Sequence, residues 1–162
     1  MYGFMQQLEG VVTDNIKPNT VDSYAKWMEN KEEAHLYSES QHAGSLGPGL
    51  SLSRIIDFSE VDLLLDVAGG SGGMAIRLCE AYPNLKIIIL DFPHVVELGK
   101  EKIKEVGLSD RITFIGGDAL DFNWPKNVGA VLMSYLYNGV SGDYIPELVN
   151  QAFNVMKPGG KY

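Results

Sequence analysis

The chain of 162 residues has little cysteine, few basic residues and no long apolar run. Its single cysteine, Cys79, excludes an intrachain disulfide framework and a zinc site of clustered cysteines, so we expect a cytoplasmic protein without a metal. Cys79 falls on the apolar face of a predicted helix, which favours core packing over a nucleophilic role.

Charge and hydropathy exclude further partners. Thirteen Lys and Arg against 21 Asp and Glu leave a net charge of −8, which argues against a nucleic acid or an anionic membrane surface as partner. No uninterrupted apolar stretch is long enough to span a bilayer, and the first ten residues lack the pattern of a signal peptide.

From residue 61 onward, short apolar runs alternate with segments of helical periodicity. The predicted strands cover 63–67, 86–90, 112–116 and 130–134, and the predicted helices cover 73–82, 95–106 and 144–156, the last with Asp143 as its N-cap. This alternation predicts an α/β fold, a Rossmann-like parallel sheet with flanking helices. Such sheets bind ligands at the carboxyl ends of their strands.

The first 60 residues read as helices that precede this sheet. Residues 4–16 have helical spacing and end at a Lys-Pro-Asn breaker. Further helices are predicted over 22–30, up to about His42, and over 50–58, with a loop at 44–49. We therefore expect a helical linker at 1–20, short helices covering the active site at 21–60, and the sheet domain at 61–162.

A glycine-rich loop follows the first predicted strand, which ends in Asp66. Residues 68–73 read Ala-Gly-Gly-Ser-Gly-Gly and lead into a helix, so a ligand can approach backbone N–H groups closely there. A dinucleotide such as NAD fits part of this pattern, but Asp66 would repel its pyrophosphate. S-adenosylmethionine (SAM) would instead bring an ammonium to Asp66 and a carboxylate to the backbone donors.

Carboxylates follow three successive predicted strands: Asp66, Asp91 and Asp118. In a parallel sheet these three strand ends face one cleft. Asp91 lies roughly 20 residues after the glycines, a spacing suited to accepting both ribose hydroxyls. Asp118 could accept a hydrogen bond from the adenine amine. Asp91 suits NAD and SAM equally, whereas Asp66 and Asp118 favour SAM.

Four ordered motifs resemble those of SAM-dependent O-methyltransferases related to the plant caffeate and acetylserotonin enzymes. They are Leu65-Asp66-Val67-Ala68-Gly69-Gly70-Ser71-Gly72, Leu90-Asp91-Phe92-Pro93-His94-Val95, Gly117-Asp118 and Met156-Lys157-Pro158-Gly159-Gly160, within a resemblance over about 20–162. The resemblance implies SAM as cofactor. It assigns the methionine part to Asp66, Ala68, Gly69, Gly70 and Gly72, the ribose to Asp91 and Phe92, the adenine to Asp118 and Ala119, and the polar end to Ser134. It also implies that a loop at residues 45–49 closes over cofactor and acceptor.

The sequence departs from this family at three positions. Ala68 replaces the first glycine, and we expect alanine to tolerate most of that backbone geometry, with reduced binding. Ser134 stands where plant members often have Lys. Asn138 occupies the position of the family's catalytic histidine, and an amide cannot be a general base. Among the histidines, His42 is the best substitute base and His94 is favoured as structural.

The resemblance predicts an enzyme that methylates a small-molecule acceptor, by O-methylation of an aromatic or polyketide-like metabolite. The alternative is a non-catalytic SAM-binding or interaction domain that has lost its base, and the third reading is an NAD(P)-dependent oxidoreductase. Family members carry an N-terminal dimerisation domain and further strands after the Pro-Gly-Gly turn. We therefore expect a fragment truncated after the fourth strand that binds SAM weakly and is self-associating or only marginally stable alone. We expect the full-length protein to be a homodimer.

Overall fold

The computed structural model describes residues 8–13, 15 and 31–162. The helices in this part of the chain are α1 (Leu8–Val12), α2 (Lys31–Ile55), α3 (Gly73–Ala81), α4 (Pro93–Glu105) and α5 (Ile145–Val155). The strands are β1 (Leu63–Val67), β2 (Lys86–Asp91), β3 (Ile112–Gly116), β4 (Val128–Leu132) and β5 (Met156–Lys161). The predicted helix at 22–30 lies outside the described residues, as do residues 4–7, 14 and 16 of the helix predicted at 4–16, of which α1 covers Leu8–Val12.

The described strands form one parallel sheet in the order β3-β2-β1-β4-β5. Leu65 of β1 lies opposite Ile88 of β2 on one side and Val131 of β4 on the other. The strand order reverses between β1 and β4, so a crevice opens at the carboxyl end of β1. The predicted Rossmann-like parallel sheet is confirmed.

Helices on both faces of the sheet bury two apolar clusters. Leu64 of β1 packs with Ile87, Ile89 and residues of α3 in the first cluster, whereas the adjacent Leu65 packs with Leu148 of α5 in the second. This division follows from the alternation of side chains along a strand. Cys79 is fully buried in the first cluster, as its position in the helix predicted.

The segment before β1 forms one long helix rather than two helices and a loop. Helix α2 runs without a break through Gly44, Gly47, Pro48 and Gly49, so the predicted loop at 44–49 and the proposed closing loop at 45–49 are wrong. Gly49 lies against α3 so closely that a Cβ atom there would come within 2.8 Å of the Cα of Met74. Close packing on α3 thus outweighs the low helix propensity of glycine and proline.

The end of the chain also differs from expectation. Residues 156–161 form β5, which pairs with β4, so the prediction that the sheet stops after the fourth strand is wrong. The strand includes Pro158 and a left-handed Gly159, and its register shifts between Val128 and Ala130. An edge strand tolerates a proline because one of its sides makes no ladder hydrogen bonds.

Helix α5 begins later than predicted. Residues Gly142–Tyr144 form a turn of 3-10 helix, and Tyr144 takes the N-cap position without a side-chain hydrogen bond. Asp143 is therefore not the N-cap. Pro146 lies in the first turn of α5, where its missing N–H is of no consequence. Among the described residues, no helix is long and apolar enough to cross a membrane.

Candidate cofactor and acceptor site

A cavity of about 480 Å³ opens at the carboxyl ends of β1, β2, β3 and β4. This volume lies in the range of small-molecule and cofactor sites. The cavity brings together all of the residues predicted for the site except Gly72 and His42; those in its lining are Asp66, Ala68, Gly69, Gly70, Asp91, Phe92, Asp118, Ala119, Ser134 and Asn138. Tyr135 also lines the cavity, whereas Tyr137, considered with it for the acceptor site, packs in the second cluster.

The glycine loop between β1 and α3 depends on left-handed backbone. Ala68, Gly70 and Gly72 have φ values of 57°, 60° and 86°. Alanine adopts this geometry at position 68 at a cost of about 1–2 kcal/mol for its Cβ atom, and the expected reduction in binding stays a prediction. Gly72 is the N-cap of α3, and a Cβ atom there would lie 3.0 Å from Ile89. Gly72 thus serves helix packing rather than the cavity.

Asp66 lies beneath this loop at the end of β1. It is only 2% exposed, and a Cβ atom on Gly69 would come within 2.5 Å of its carboxyl carbon. Its Oδ2 atom is buried and has no hydrogen-bond partner within the described structure. Burial, and then the charge of Asp91, raise the pKa of Asp66 to about 8.

The charge of Asp66 therefore depends on what faces it. With a pKa of about 8 the carboxyl group is mostly protonated at neutral pH, and a cation that reaches Oδ2 would favour its ionised form. A protonated carboxyl group repels a pyrophosphate only weakly. The electrostatic argument against a dinucleotide is thus weaker than the sequence suggested.

Asp91 ties the glycine loop to β2. Its Oδ2 accepts a hydrogen bond from the Gly70 N–H at 2.8 Å, and its Oδ1 accepts one from the Phe92 N–H at 2.7 Å. Burial raises the pKa of Asp91, and these two hydrogen bonds oppose that shift. Because a carboxylate offers about four acceptor positions, Asp91 can accept two hydroxyl groups while it keeps both backbone bonds.

The far side of the cavity combines an acidic turn with an aromatic ring. Asp118 follows β3, and its Oδ1 accepts a hydrogen bond from the Leu120 N–H at 3.0 Å. The Phe92 side chain is 40% exposed, and its ring stacks on that of His94 at 6.0 Å between centroids. This stacking agrees with the structural role favoured for His94. Together Asp118 and Phe92 offer an acceptor and an apolar face to a flat heterocycle.

The segment after β4 supplies the third side. Tyr135 is 69% exposed and has a φ of 63°, so its backbone is strained for a residue with a side chain. It leads into the 3-10 turn Leu136–Asn138, which brings Asn138 to the cavity. Ser134 lies two residues beyond the end of β4, because the strand ends at Leu132 and not at residue 134 as predicted.

Comparison with known proteins identifies the family to which this domain belongs. The O-methyltransferase domain family matches residues 20–162. The chain belongs to this family. It is similar to the 3-hydroxy-5-methyl-1-naphthoate 3-O-methyltransferase of Streptomyces sahachiroi, with 26% identity over 158 residues, 98% of this chain and 46% of that protein. It is also similar to the L-tyrosine C(3)-methyltransferase of Streptomyces lavendulae, with 29% identity over 140 residues, 86% of this chain and 38% of that protein.

A solved structure with the same fold extends this comparison. Human N-acetylserotonin methyltransferase in complex with SAM superimposes with a TM-score of 0.76 and 21% identity, over 93% of this chain and 42% of that chain. This likeness concerns the fold alone. The O-methyltransferase domain described here spans less than half the length of each of these three proteins.

Helix α2 contributes four residues to the O-methyltransferase cavity, of which sequence analysis missed Ser38 and Gln41. Tyr37, Gln41 and Ser45 lie four residues apart on one face of α2, and Ser38 joins them in the lining. The four-residue spacing is present in the sequence. It was not recognised as one face of a helix, because the helix was predicted to end near His42 and Ser45 was assigned to a loop.

His42 faces the glycine loop rather than the cavity of the O-methyltransferase domain. Its Nδ1 lies 2.9 Å from the hydroxyl oxygen of Ser71, and its ring is absent from the cavity lining. Burial, and then the charge of Lys102, lower the pKa of His42. His42 is thus neutral at neutral pH but does not adjoin the space where an acceptor would bind, so its location does not support a role as substitute base.

Proposed function

We propose that this domain binds SAM and transfers its methyl group to a small-molecule acceptor. The observation that carries the proposal is the set of three carboxylates, Asp66, Asp91 and Asp118, around one cavity beside the glycine loop. Membership of the O-methyltransferase domain family supports the same reaction class. The proposal includes a cytoplasmic location and a homodimeric full-length protein, both of which rest on the sequence arguments.

The residues of the cavity fit SAM on two structural grounds. The buried Oδ2 of Asp66 lacks a partner among the described residues, and the ammonium of the methionine part would supply one. The loop also has no Cβ atom at Gly69 and Gly70, so the carboxylate of that part can approach its backbone closely. In the proposal Asp91 holds the ribose hydroxyls, while Asp118 and Ala119 hold the adenine against Phe92.

Bound SAM would supply a methyl group on a sulfonium centre, and the neutral thioether that remains after transfer is a good leaving group. The chain's own contribution is then to align the acceptor and exclude water. Asn138 and Tyr135 line the cavity after β4, and Gln41 lines it from α2. The amide of Asn138 can orient an acceptor by hydrogen bonds but cannot remove its proton at neutral pH.

The absence of a base at position 138 favours an acceptor that is already nucleophilic. An acidic phenol, an enol, a thiolate or an amine meets this condition. The names of two relatives describe methyl transfer to a hydroxynaphthoate oxygen and to a tyrosine ring carbon. We therefore propose an aromatic or polyketide-like acceptor, with O-methylation as the first reaction to test.

Asn138 also supports a second candidate, a SAM-binding domain without catalytic activity. The two candidates differ in turnover and not in cofactor binding. Release of S-adenosylhomocysteine (SAH) from SAM with a panel of hydroxylated aromatic acceptors would establish the enzyme. Stoichiometric SAM binding without turnover on any acceptor of the panel would favour the binding domain.

The first experiment is calorimetric titration of the 162-residue chain with SAM, SAH and NAD. Asp91→Asn removes the charge that would accept the ribose hydroxyls, so SAH should bind about 10- to 100-fold more weakly, as expected for charge-assisted hydrogen bonds worth ~1.5–3 kcal/mol. Asp110→Asn, in a turn remote from the cavity lining, is the matched control and should leave binding unchanged. Tight binding of NAD without binding of SAH would contradict the proposal and favour an oxidoreductase.

A further inference from the structure

The glycine loop is held from two opposite sides. From the side of β2, Asp91 accepts the hydrogen bond of the Gly70 N–H. From the side of α2, Nδ1 of His42 lies 2.9 Å from the Ser71 hydroxyl, across 29 residues of sequence. Ser71 is 7% exposed and lines the cavity, whereas His42 does not.

The contact between α2 and the loop is close because the two backbones meet there. A Cβ atom on Gly73, the first residue of α3, would come within 2.9 Å of the His42 carbonyl oxygen and would clash with the Ser45 hydroxyl. The Ser45 hydroxyl in turn donates to that same His42 carbonyl at 2.9 Å. The backbone of α2 around His42 is therefore packed closely against the start of α3, and the imidazole extends from this backbone to the loop.

The loop needs such a support. Three of the five residues at 68–72 have left-handed backbone, one of them the strained Ala68, and three are glycines with few intrinsic restraints. A loop that must present several N–H groups at once binds more tightly when its geometry is already fixed, because less conformational entropy is lost on binding.

We propose that His42 is a positioning residue that orders the glycine loop through Ser71 and so sets the affinity of the domain for the methionine part of SAM. This inference rests on the proposed cofactor. His42 itself touches neither cofactor nor acceptor. Its role is to hold one hydroxyl group in place, and Ser71 carries the effect into the cavity.

The surroundings of His42 are compatible with a neutral ring in this role. Lys102 lies on α4, where it forms an ion pair with Glu39 of α2 at 2.8 Å, and Glu105 lies 3.9 Å from the same ammonium. Burial and Lys102 lower the pKa of His42, whereas Glu39 and Glu105 oppose that shift. A neutral imidazole can either donate to or accept from a hydroxyl group at Nδ1.

The test compares three substitutions of His42 by their effect on the dissociation constant of SAH, measured by calorimetry on the 162-residue chain. His42→Ala removes the contact and should weaken SAH binding about five- to tenfold, as expected for one hydrogen bond. His42→Asn attaches a polar atom to Cγ at the place of Nδ1 and should stay within about twofold of the unsubstituted chain. His42→Gln extends its amide beyond this place and should behave like His42→Ala.

Ser71→Ala tests the other partner. It should weaken binding as much as His42→Ala, and the double variant should be no weaker than either single one, because both remove the same contact. Ser40→Ala, at an exposed position of α2 that does not line the cavity, is the control and should leave SAH binding unchanged. Melting temperatures of all variants separate loss of affinity from loss of folding.

Two results would overturn the inference. Equal weakening by His42→Asn and His42→Ala would show that the ring acts through packing alone, and additive losses in the double variant would show that His42 and Ser71 act separately. Failure of the proposed function looks different, because the unsubstituted chain itself would then not bind SAH.

Discussion

Ala68 offers a direct measurement of the strain in the glycine loop. Its φ of 57° is fixed by the fold, since its N–H donates to the Leu90 carbonyl oxygen at 2.7 Å immediately after β1 ends. An alanine in this conformation costs about 1–2 kcal/mol relative to a right-handed one. Replacement by glycine removes that cost but adds about 0.5–1 kcal/mol of backbone entropy in the unfolded chain.

The difference predicts that Ala68→Gly stabilises the domain by about 0.5–1 kcal/mol, or roughly 1–4 °C in melting temperature for a chain of this size. Urea unfolding followed by circular dichroism measures the free energy, and calorimetry measures the melting temperature. Ala119→Gly is the matched control, because Ala119 also lines the cavity but does not have a positive φ. This control should lose about 0.5–1 kcal/mol.

The reasoning would be refuted by a loss of stability in Ala68→Gly equal to that in Ala119→Gly. Such a result would mean that the loop relaxes without cost around alanine. Opposite signs in the two variants would instead confirm that the strain belongs to the backbone conformation and not to the change of residue type.

Two further predictions concern Asp66 and the loop above it. Gly69→Ala should destabilise the domain by about 1–3 kcal/mol in urea unfolding, because the new methyl group would meet the Asp66 carboxyl carbon at 2.5 Å; unchanged stability would mean that the carboxyl group can move aside. Burial raises the pKa of Asp66 to about 8, so the contribution of its carboxyl group to the free energy of unfolding is fully present below pH 4. This contribution is lost as the pH rises from there through about 8, by at most about 1.4 kcal/mol per pH unit. Asp66→Asn, which stays neutral, should flatten this dependence in urea midpoints measured from pH 4 to 9, and an identical slope in both chains would contradict the assignment.

Much of the sheet and of the cavity lining was predictable from the sequence. Strands β1 and β3 match their predicted limits, because buried parallel strands are short apolar runs between breakers and their signal is local. The positions of Asp66, Asp91 and Asp118 around one cavity followed as well. Once the strands are parallel, the residues after their carboxyl ends must lie at the same edge of the sheet.

Other features were decided only by contacts between distant parts of the chain. Helix α2 continues through its glycines and Pro48 because it packs on α3, and β5 forms because β4 offers it a ladder of hydrogen bonds. Neither partner is visible in the local pattern, which indicated a loop and a turn. Tertiary burial also sets the protonation of Asp66, since a strand-end carboxylate in water would be ionised at neutral pH.

The sequence by itself thus determined the alternation of strands and helices, the glycine loop and the chemistry of the groups at the strand ends. The tertiary structure decided the conformation of Ala68, the hydrogen bond between His42 and Ser71, and the burial of Asp66. The physical reason is the separation along the chain over which each effect acts. Hydrophobic periodicity and turn chemistry act over a few neighbouring residues. Backbone strain, desolvation and the distance between two side chains depend on which elements the whole fold brings together.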